Sequence, residues 1–451
     1  MSITIVQKSD LRKKKVKAPK ALILAGGAVT GGSFKAGSVK ALNDYFTNFS
    51  VNDFDIFVGI SSGSIIAVPL VGGLKPESVL RSLDGTSKHF SRLSAWHFYR
   101  PNFEELMARP IAFAVKAAAW LPATLSGLLR SKGGWFSPLI SHVTKFVKSP
   151  SAKNYDDMME WMRDNVNAVD FPSLMSLVPT GMFDNRPIEQ YLRNNIKHNN
   201  LTNSFKVVQR LTGKRLYICA VELDGARPVV FGPDERSDVT ISEAVMASTA
   251  LPGFYKPARI RGVDYIDGMV HETANIDIAV EKGAKLIVCY NPFRPYEPDT
   301  FVDYVKKERD LLTRSGVFAV MYQIIRAAVH SRLTMSVEQY RNDPKFKGDI
   351  ILIEPPAHDL TFSELNPLLL SNRIHAAQLG FESTHASIAK HYTELKKIMA
   401  SYGIEMDKKR VENEYKTIRR RSTSSASIQA ILEGREKKTK KKRPAARRTR
   451  K

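Results

Sequence analysis

Gly59-Ile60-Ser61-Ser62-Gly63 stands between an apolar run, Asp55-Ile56-Phe57-Val58, and a helix-like run, Ser64-Ile65-Ile66-Ala67-Val68. In a G-x-S-x-G segment of this kind, the serine sits where a strand turns sharply into a helix. The turn holds the serine in a strained backbone conformation, and the positions two residues to either side must be glycine or very small so that strand and helix can approach. The motif therefore demands a fold in which a strand feeds a helix directly. It makes Ser61 the candidate nucleophile, with Gly59 and Gly63 framing the nucleophile elbow.

A second glycine-rich turn lies upstream. Gly26-Gly27-Ala28-Val29-Thr30-Gly31-Gly32 follows the apolar strand Ala21 to Ala25 and precedes a helix expected over about Phe34 to Phe46. Backbone N–H groups in such a turn, aided by the dipole of the following helix, can hold the oxyanion of a tetrahedral acyl intermediate. A nucleotide phosphate loop is the alternative. The spacing fits neither G-x-G-x-x-G nor G-x-x-x-x-G-K-[ST], because Gly32 is followed by Ser33.

Chain order separates this sequence from an α/β-hydrolase, which places several strands before its serine and then runs serine, acid, histidine. Only one strand-loop-helix unit precedes Ser61. His89 and His97 fall among exposed-looking residues, and His142 and His198 in polar helical stretches. Further on, Lys256 to Ile260 and Val263 to Ile266 form an expected hairpin around Arg261-Gly262, ending in Asp267-Gly268. An aspartate at a strand end beside glycine is well placed to face a site, although Asp-Gly alone is a common turn dipeptide. His271, four residues on, is too close along the chain to be expected to share that site.

Taken in order, the glycine-rich loop, the G-x-S-x-G elbow, the segment Ala244 to Pro257 (AVMASTALPGFYKP) and Asp267-Gly268 resemble the patatin-like phospholipase family. The segment is similar to that family's A-x-x-A-S-x-A-x-P-x-x-F-x-P signature, and the resemblance spans about residues 20 to 300 by motif. It implies a Ser61–Asp267 dyad without histidine, an oxyanion hole formed by the N–H groups of Gly26, Gly27 and Ala28, and hydrolysis of fatty acyl esters of phospholipids or related lipids through an acyl-enzyme. Acyl transfer and depolymerisation of an intracellular polyester use the same acyl-enzyme and stay open. So does a non-catalytic scaffold that binds membrane or nucleic acid. Two departures bear on this: Ala28 and Thr30 stand where the family usually has a third glycine and a basic residue, and Met269 stands where a second glycine often follows. Alanine still offers its N–H, provided that its backbone is not left-handed. An isolated carboxylate is a weak base near neutral pH, so Asp267 needs its pKa raised by burial. Asn275 and Ala279 are similar to the family's continuation into the next helix.

No cofactor or metal is expected. Cys219 and Cys289, the only cysteines, sit inside apolar runs as small hydrophobes, and no metal-ligand spacing occurs. The two cysteines and the polar N-terminus point to a reducing cytoplasmic setting. Strands such as Lys285 to Tyr290 and Asp349 to Glu354, alternating with helical patterns at about 302 to 340 and 371 to 400, predict an α/β fold: a three-layer α/β/α domain with a mostly parallel sheet. The expected organisation is a basic segment over 1–19, a catalytic domain over 20–400 and a basic tail over 401–451. A helical cap inserted at about 85–205 is expected to supply the acyl pocket. Within that cap, Pro110 to Leu129 approaches spanning length, but Lys116 and Pro122 interrupt it, leaving a buried cap helix or an interfacial one. Net charge is +23, and from Lys408 onward eighteen Lys or Arg face four Glu. Such a tail forms no core. It suits an anionic bilayer, where each basic residue contributes about 1 kcal/mol, and in the absence of interleaved aromatics shows no sign of base recognition.

Overall fold

The computed structural model describes residues 3–130, 136–165, 174–271, 274–295, 317–357, 362, 365–409 and 411–412 of the chain. Two compact units emerge, one of residues 101–183 and a larger one made from both flanks, 1–100 and 184–451. The inserted unit is narrower than the cap expected over 85–205.

The strands are β1 (Ile3–Gln7), β2 (Lys20–Leu24), β3 (Ile56–Ile60), β4 (Gly181–Phe183), β5 (Arg215–Glu222), β6 (Arg227–Phe231), β7 (Gly253–Tyr255), β8 (Ala258–Ile260), β9 (Val263–Asp267), β10 (Leu286–Tyr290) and β11 (Asp349–Ile353). The helices run from α1 (Ala28–Tyr45), α2 (Ser62–Val71), α3 (Pro76–Asp84) and α4 (Ala95–Tyr99) through α5 (Phe103–Arg130), α6 (Phe136–Lys148) and α7 (Ala152–Asn165). There follow α8 (Arg186–His198), α9 (Phe205–Thr212), α10 (Ile241–Ser248), α11 (Ile276–Glu281), α12 (Val317–Asn342), α13 (Arg373–Lys390) and α14 (Tyr392–Ser401).

In the larger unit a nine-stranded sheet runs β1-β11-β10-β2-β3-β5-β9-β8, with β6 also on β5. Its centre, β11-β10-β2-β3-β5, is parallel, and the two margins are antiparallel. Parallel strands are covered on both faces and so read as unbroken apolar runs, which is how β2, β3, β10 and β11 read in sequence. Alternate residues divide the faces. Ala21, Ile23, Val58, Ile60, Ile287 and Cys289 pack with α11 and α12. On the other face α1 lies against β10, where Tyr290 Oη donates to the Ser38 carbonyl at 3.3 Å. Burying each such Val, Leu or Ile side chain stabilises the fold by about 1.5–3 kcal/mol.

Helices α1 and α13 cross at glycines. A Cβ on Gly37 would lie 1.9 Å from the Ala377 carbonyl oxygen, and one on Gly380 2.0 Å from that of Phe34. Packed against this and its other neighbours, α1 is buried on nearly every side.

Three differences from the sequence reading stand out. Residues 1–19 contribute β1, whose Ile3 and Val6 are buried against β11, so the segment is in part structural. Helix α1 begins at Ala28 and not near Phe34, because Gly31 and Gly32 are helical residues chosen for close approach: a Cβ on Gly31 would lie 2.9 Å from Pro292 and one on Gly32 3.0 Å from Ser62. Finally, the backbone of α5 continues through Pro122 for 28 residues in all, although Lys116 still breaks the apolar run.

The inserted unit carries α5, α6 and α7. Glu105 in the first turn of α5 accepts from Arg109 at 2.7 Å and from both the backbone and hydroxyl of Thr180, tying the two ends of the insertion together. Among the described residues no helix is long and apolar enough to cross a membrane. Trp135 and the basic tail beyond residue 412 lie outside the described residues, and the side chains of Trp120 and Phe136 are likewise not described.

Candidate active site

Ser61 follows β3 and precedes α2 with φ 52° and ψ −129°, a conformation disfavoured for any residue with a side chain. The flanking glycines are there for lack of space. A Cβ on Gly59 would come within 2.6 Å of Ser64 Cα, and one on Gly63 within 1.9 Å of the Leu24 carbonyl oxygen. The strain is held in place by hydrogen bonds. Ser61 N–H donates to Ser248 Oγ at 2.8 Å, Ser248 Oγ donates to the Cys219 carbonyl at 2.6 Å, and the Ser61 carbonyl accepts from Ser64 N–H at 3.0 Å and Ser64 Oγ at 2.6 Å.

Strand β5 brings the acid to the serine. Ile60 pairs with Cys219 in the parallel β3–β5 ladder, so Ser61 is level with Ala220, and Ala220 pairs with Asp267 across the antiparallel β5–β9 ladder. The predicted hairpin is present, turning at Arg261 (φ 51°) and Gly262 (φ 84°). Gly268 has no room for a side chain, since a Cβ there would lie 2.4 Å from the Cys219 carbonyl oxygen. The segment Ala244 to Pro257 acts as a brace: Ser248 holds Ser61, and the Ala250 carbonyl accepts from Asp267 N–H at 2.9 Å.

Asp267 is fully buried. Its Oδ1 accepts from Met269 N–H at 3.0 Å, while among the described residues Oδ2 has no partner of ordinary hydrogen-bond geometry. Burial pushes the carboxyl up to about 7, opposed by hydrogen bonding from Ser61, by Met269 N–H and by the charge of Lys35. The Ser61 hydroxyl thus favours the ionised form of Asp267.

The glycine-rich turn lies against the same serine: a Cβ on Gly26 would be 3.5 Å from Ser61 Cβ and 3.6 Å from Met269 Cβ. Gly27 is squeezed between Pro292 and Gly31. The Pro367 carbonyl accepts from Val29 and Thr30, whereas the N–H groups of Gly26, Gly27 and Ala28 donate to no other described residue. Ala28 does have a left-handed backbone, φ 50°, so the condition set on alanine by the sequence argument is not met and the turn is strained there. An apolar cavity of about 110 Å³ opens at Ala28 and Ser61 and runs between side chains that include Ile65, Leu83, Phe98 and Tyr191.

His271 is exposed at the end of the turn after Asp267 and does not line the cavity. His89, His97 and His198 do not line the cavity. Asn275 caps α11 with φ 45°, and Ala279 is buried in that helix. Cys219 and Cys289 are buried and lie outside any disulfide. Among the described residues no cluster of His, Cys, Asp and Glu could hold a metal ion. Two contributors escaped the sequence reading. Ser248 lay within the quoted signature without a role, and Lys35 is a buried lysine of α1 whose signal was a charged residue in a helix too rich in small and apolar residues to have a wet face.

Comparison with known proteins places these features in context. The patatin-like phospholipase family matches residues 22–280. An uncharacterised protein of Escherichia coli strain K12, YjjU, is 26% identical over 175 residues, 38% of this chain and 44% of the other, so less than half of that curated relative is matched. Among solved structures, VipD from Legionella pneumophila is 15% identical, covering 83% of this chain and 67% of its own, with a TM-score of 0.35. ExoU in its complex with SpcU from Pseudomonas aeruginosa is 14% identical over 96% of this chain and 71% of the other, with a TM-score of 0.27. Human GIVD cytosolic phospholipase A2 is 10% identical over 86% and 61%, with a TM-score of 0.29.

Proposed function

The chain belongs to the patatin-like phospholipase family, and from that premise we propose that it is a serine acyl hydrolase acting on fatty acyl esters, with Ser61 and Asp267 as its dyad. The observation that carries the reading is a strained serine that lines an apolar cavity and stands beside a buried carboxyl lifted to about 7. Ser61 Oγ attacks the ester carbonyl as Asp267 takes its proton, and the free N–H groups of Gly26, Gly27 and Ala28 receive the oxyanion. Collapse passes the proton to the leaving alcohol. Asp267 then takes a proton from water, which attacks the acyl-enzyme, and Ser61 recovers its proton as the fatty acid leaves. A base with a pKa near neutrality is half-ionised at working pH, which suits both steps.

The acyl chain is assigned to the apolar cavity, and the basic tail to an anionic bilayer surface on the cytoplasmic side. The test is fatty-acid release from zwitterionic and anionic phospholipid vesicles by wild type, Ser61→Ala and Asp267→Asn, with p-nitrophenyl butyrate alongside. Cleavage of phospholipid by wild type alone, faster on anionic vesicles, is expected. Cleavage of the short ester only would remove phospholipid as substrate and favour another acyl ester. Full activity in Ser61→Ala would end the dyad assignment.

A further inference from the structure

Lys35 lies in the second turn of α1 and is completely buried. Its ammonium donates to the carbonyls of Ala25 and Gly26, the latter at 2.9 Å, and to Ser62 Oγ at 3.2 Å. Three donors meet three acceptors, and Lys35 forms no ion pair among the described residues. All three acceptors belong to the proposed site: two carbonyls of the glycine-rich turn and the residue immediately after the nucleophile.

Peptide planarity gives these contacts a consequence. In a trans peptide the C=O and the following N–H point in opposite directions. Holding the Ala25 and Gly26 carbonyls on the ammonium therefore turns the N–H groups of Gly26 and Gly27 away from it, leaving both free. Without that anchor, a turn built on glycine has little else to resist rotation of the two peptide planes. The ammonium also polarises both peptides, which strengthens their N–H groups as donors.

We propose that Lys35, as its ammonium, is the positioning residue of the oxyanion turn, so that hydrolysis requires a protonated lysine as well as an ionised Asp267. The inference rests on the acyl-hydrolase reading and goes beyond it by adding a second ionisation of opposite sense. The groups acting on Lys35 from the packed elements are Asp267 at the end of β9 and Cys289 on β10, with the Ser62 hydroxyl at the start of α2. Cys289 is held as a neutral thiol by burial. Burial lowers Lys35 to about 7, opposed chiefly by the charge of Asp267. Asp267 and Lys35 then titrate as a coupled pair, and activity is confined to a window around neutral pH.

The experiment is a pH–rate profile on p-nitrophenyl butyrate for wild type, Lys35→Met and Lys35→Gln, with fluorophosphonate labelling and thermal melting of each protein. Lys35→Met is expected to lose about 100-fold in kcat, the scale of a displaced oxyanion donor, with KM changed less than about threefold. It should lose the falling limb of kcat/KM above neutrality, and its rising limb should move to higher pH because Asp267 no longer has a cation beside it. A folded Lys35→Met with kcat within threefold of wild type, or with the alkaline limb intact, overturns the proposal. Lys35→Gln retains a donor without charge and should also lack the alkaline limb. Should neither variant fold, the wild-type profile decides: a fall in kcat/KM above about pH 7 supports the proposal, and a plateau to pH 9 refutes it. Wild type inert to both ester and fluorophosphonate overturns the hydrolase reading together with this inference, whereas an active wild type with an indifferent Lys35 overturns the inference alone.

Discussion

Replacing Asp267 by asparagine should stabilise the protein by an amount that grows with pH. The carboxyl rises from 3.8 to about 7 on folding because it is buried, with only Ser61, Met269 N–H and Lys35 to favour its charge. At roughly 1.4 kcal/mol per tenfold change, ionised Asp267 is disfavoured in the folded state by about 4 kcal/mol. Below pH 3.8 both states are protonated and nothing is lost. As pH rises the unfolded chain ionises first while the folded chain keeps its proton, so stability drains away until the folded group ionises near pH 7, and is level above that. Relative to a side chain that does not titrate, wild type has lost about 1.5 kcal/mol at pH 5 and about 4 kcal/mol at pH 8. The advantage of Asp267→Asn should therefore widen by about 2–3 kcal/mol across this interval, a few degrees in melting temperature for a chain of this size. Melting of wild type, Asp267→Asn and Ser61→Ala at pH 5 and pH 8 measures it, with Ser61→Ala as the control for local packing. Equal offsets for Asp267→Asn at the two pH values would mean that the carboxylate is solvated, and the account of Asp267 as a base near neutrality would go with it.

Two further outcomes concern the frame around the serine. Ala28→Gly should stabilise by about 1 kcal/mol, because alanine at φ 50° carries a penalty that glycine lacks and the greater freedom of unfolded glycine offsets only part of it. The destabilisation usual for Ala→Gly in a helix, read by melting, would contradict this. Ser248→Ala removes the acceptor of Ser61 N–H and the donor to the Cys219 carbonyl, both buried, so a loss of about 2–3 kcal/mol is expected. Fluorophosphonate should label Ser61 in that variant about tenfold more slowly as the elbow relaxes. A wild-type labelling rate would show that β3 and α2 hold the turn unaided.

The fold was legible wherever a physical constraint acts between neighbours along the chain. Buried parallel strands must be apolar throughout, which marks β2, β3, β10 and β11, and the Arg261-Gly262 turn announces the β8–β9 hairpin. The start of α1 was not legible. Gly31 and Gly32 look like loop residues because glycine is a poor helix former, yet here they serve contacts with Pro292 and Ser62 that only the folded chain creates. The edge strand β1 was hidden for a similar reason: its partner β11 lies more than 340 residues away.

The same distinction between local and distant constraints governs the site. Ser61, Gly59 and Gly63 announce themselves because the elbow is a local shape. Asp267 did so only in combination, since nothing near it in sequence shows that β5 places it level with Ser61 through Ala220. Lys35 is the extreme case, for its position becomes meaningful only when α1 is enclosed by the fold and its ammonium meets the glycine-rich turn and Ser62. A helix so enclosed cannot carry a lysine to water. Its charge must be either neutralised or used, and the three acceptors around the ammonium all belong to the turn and elbow that frame Ser61. Helix α1 therefore bears on the site through Lys35. Burial lowers the pKa of Lys35, and the placement of α1 aims its ammonium at the peptides whose N–H groups stay free for an oxyanion.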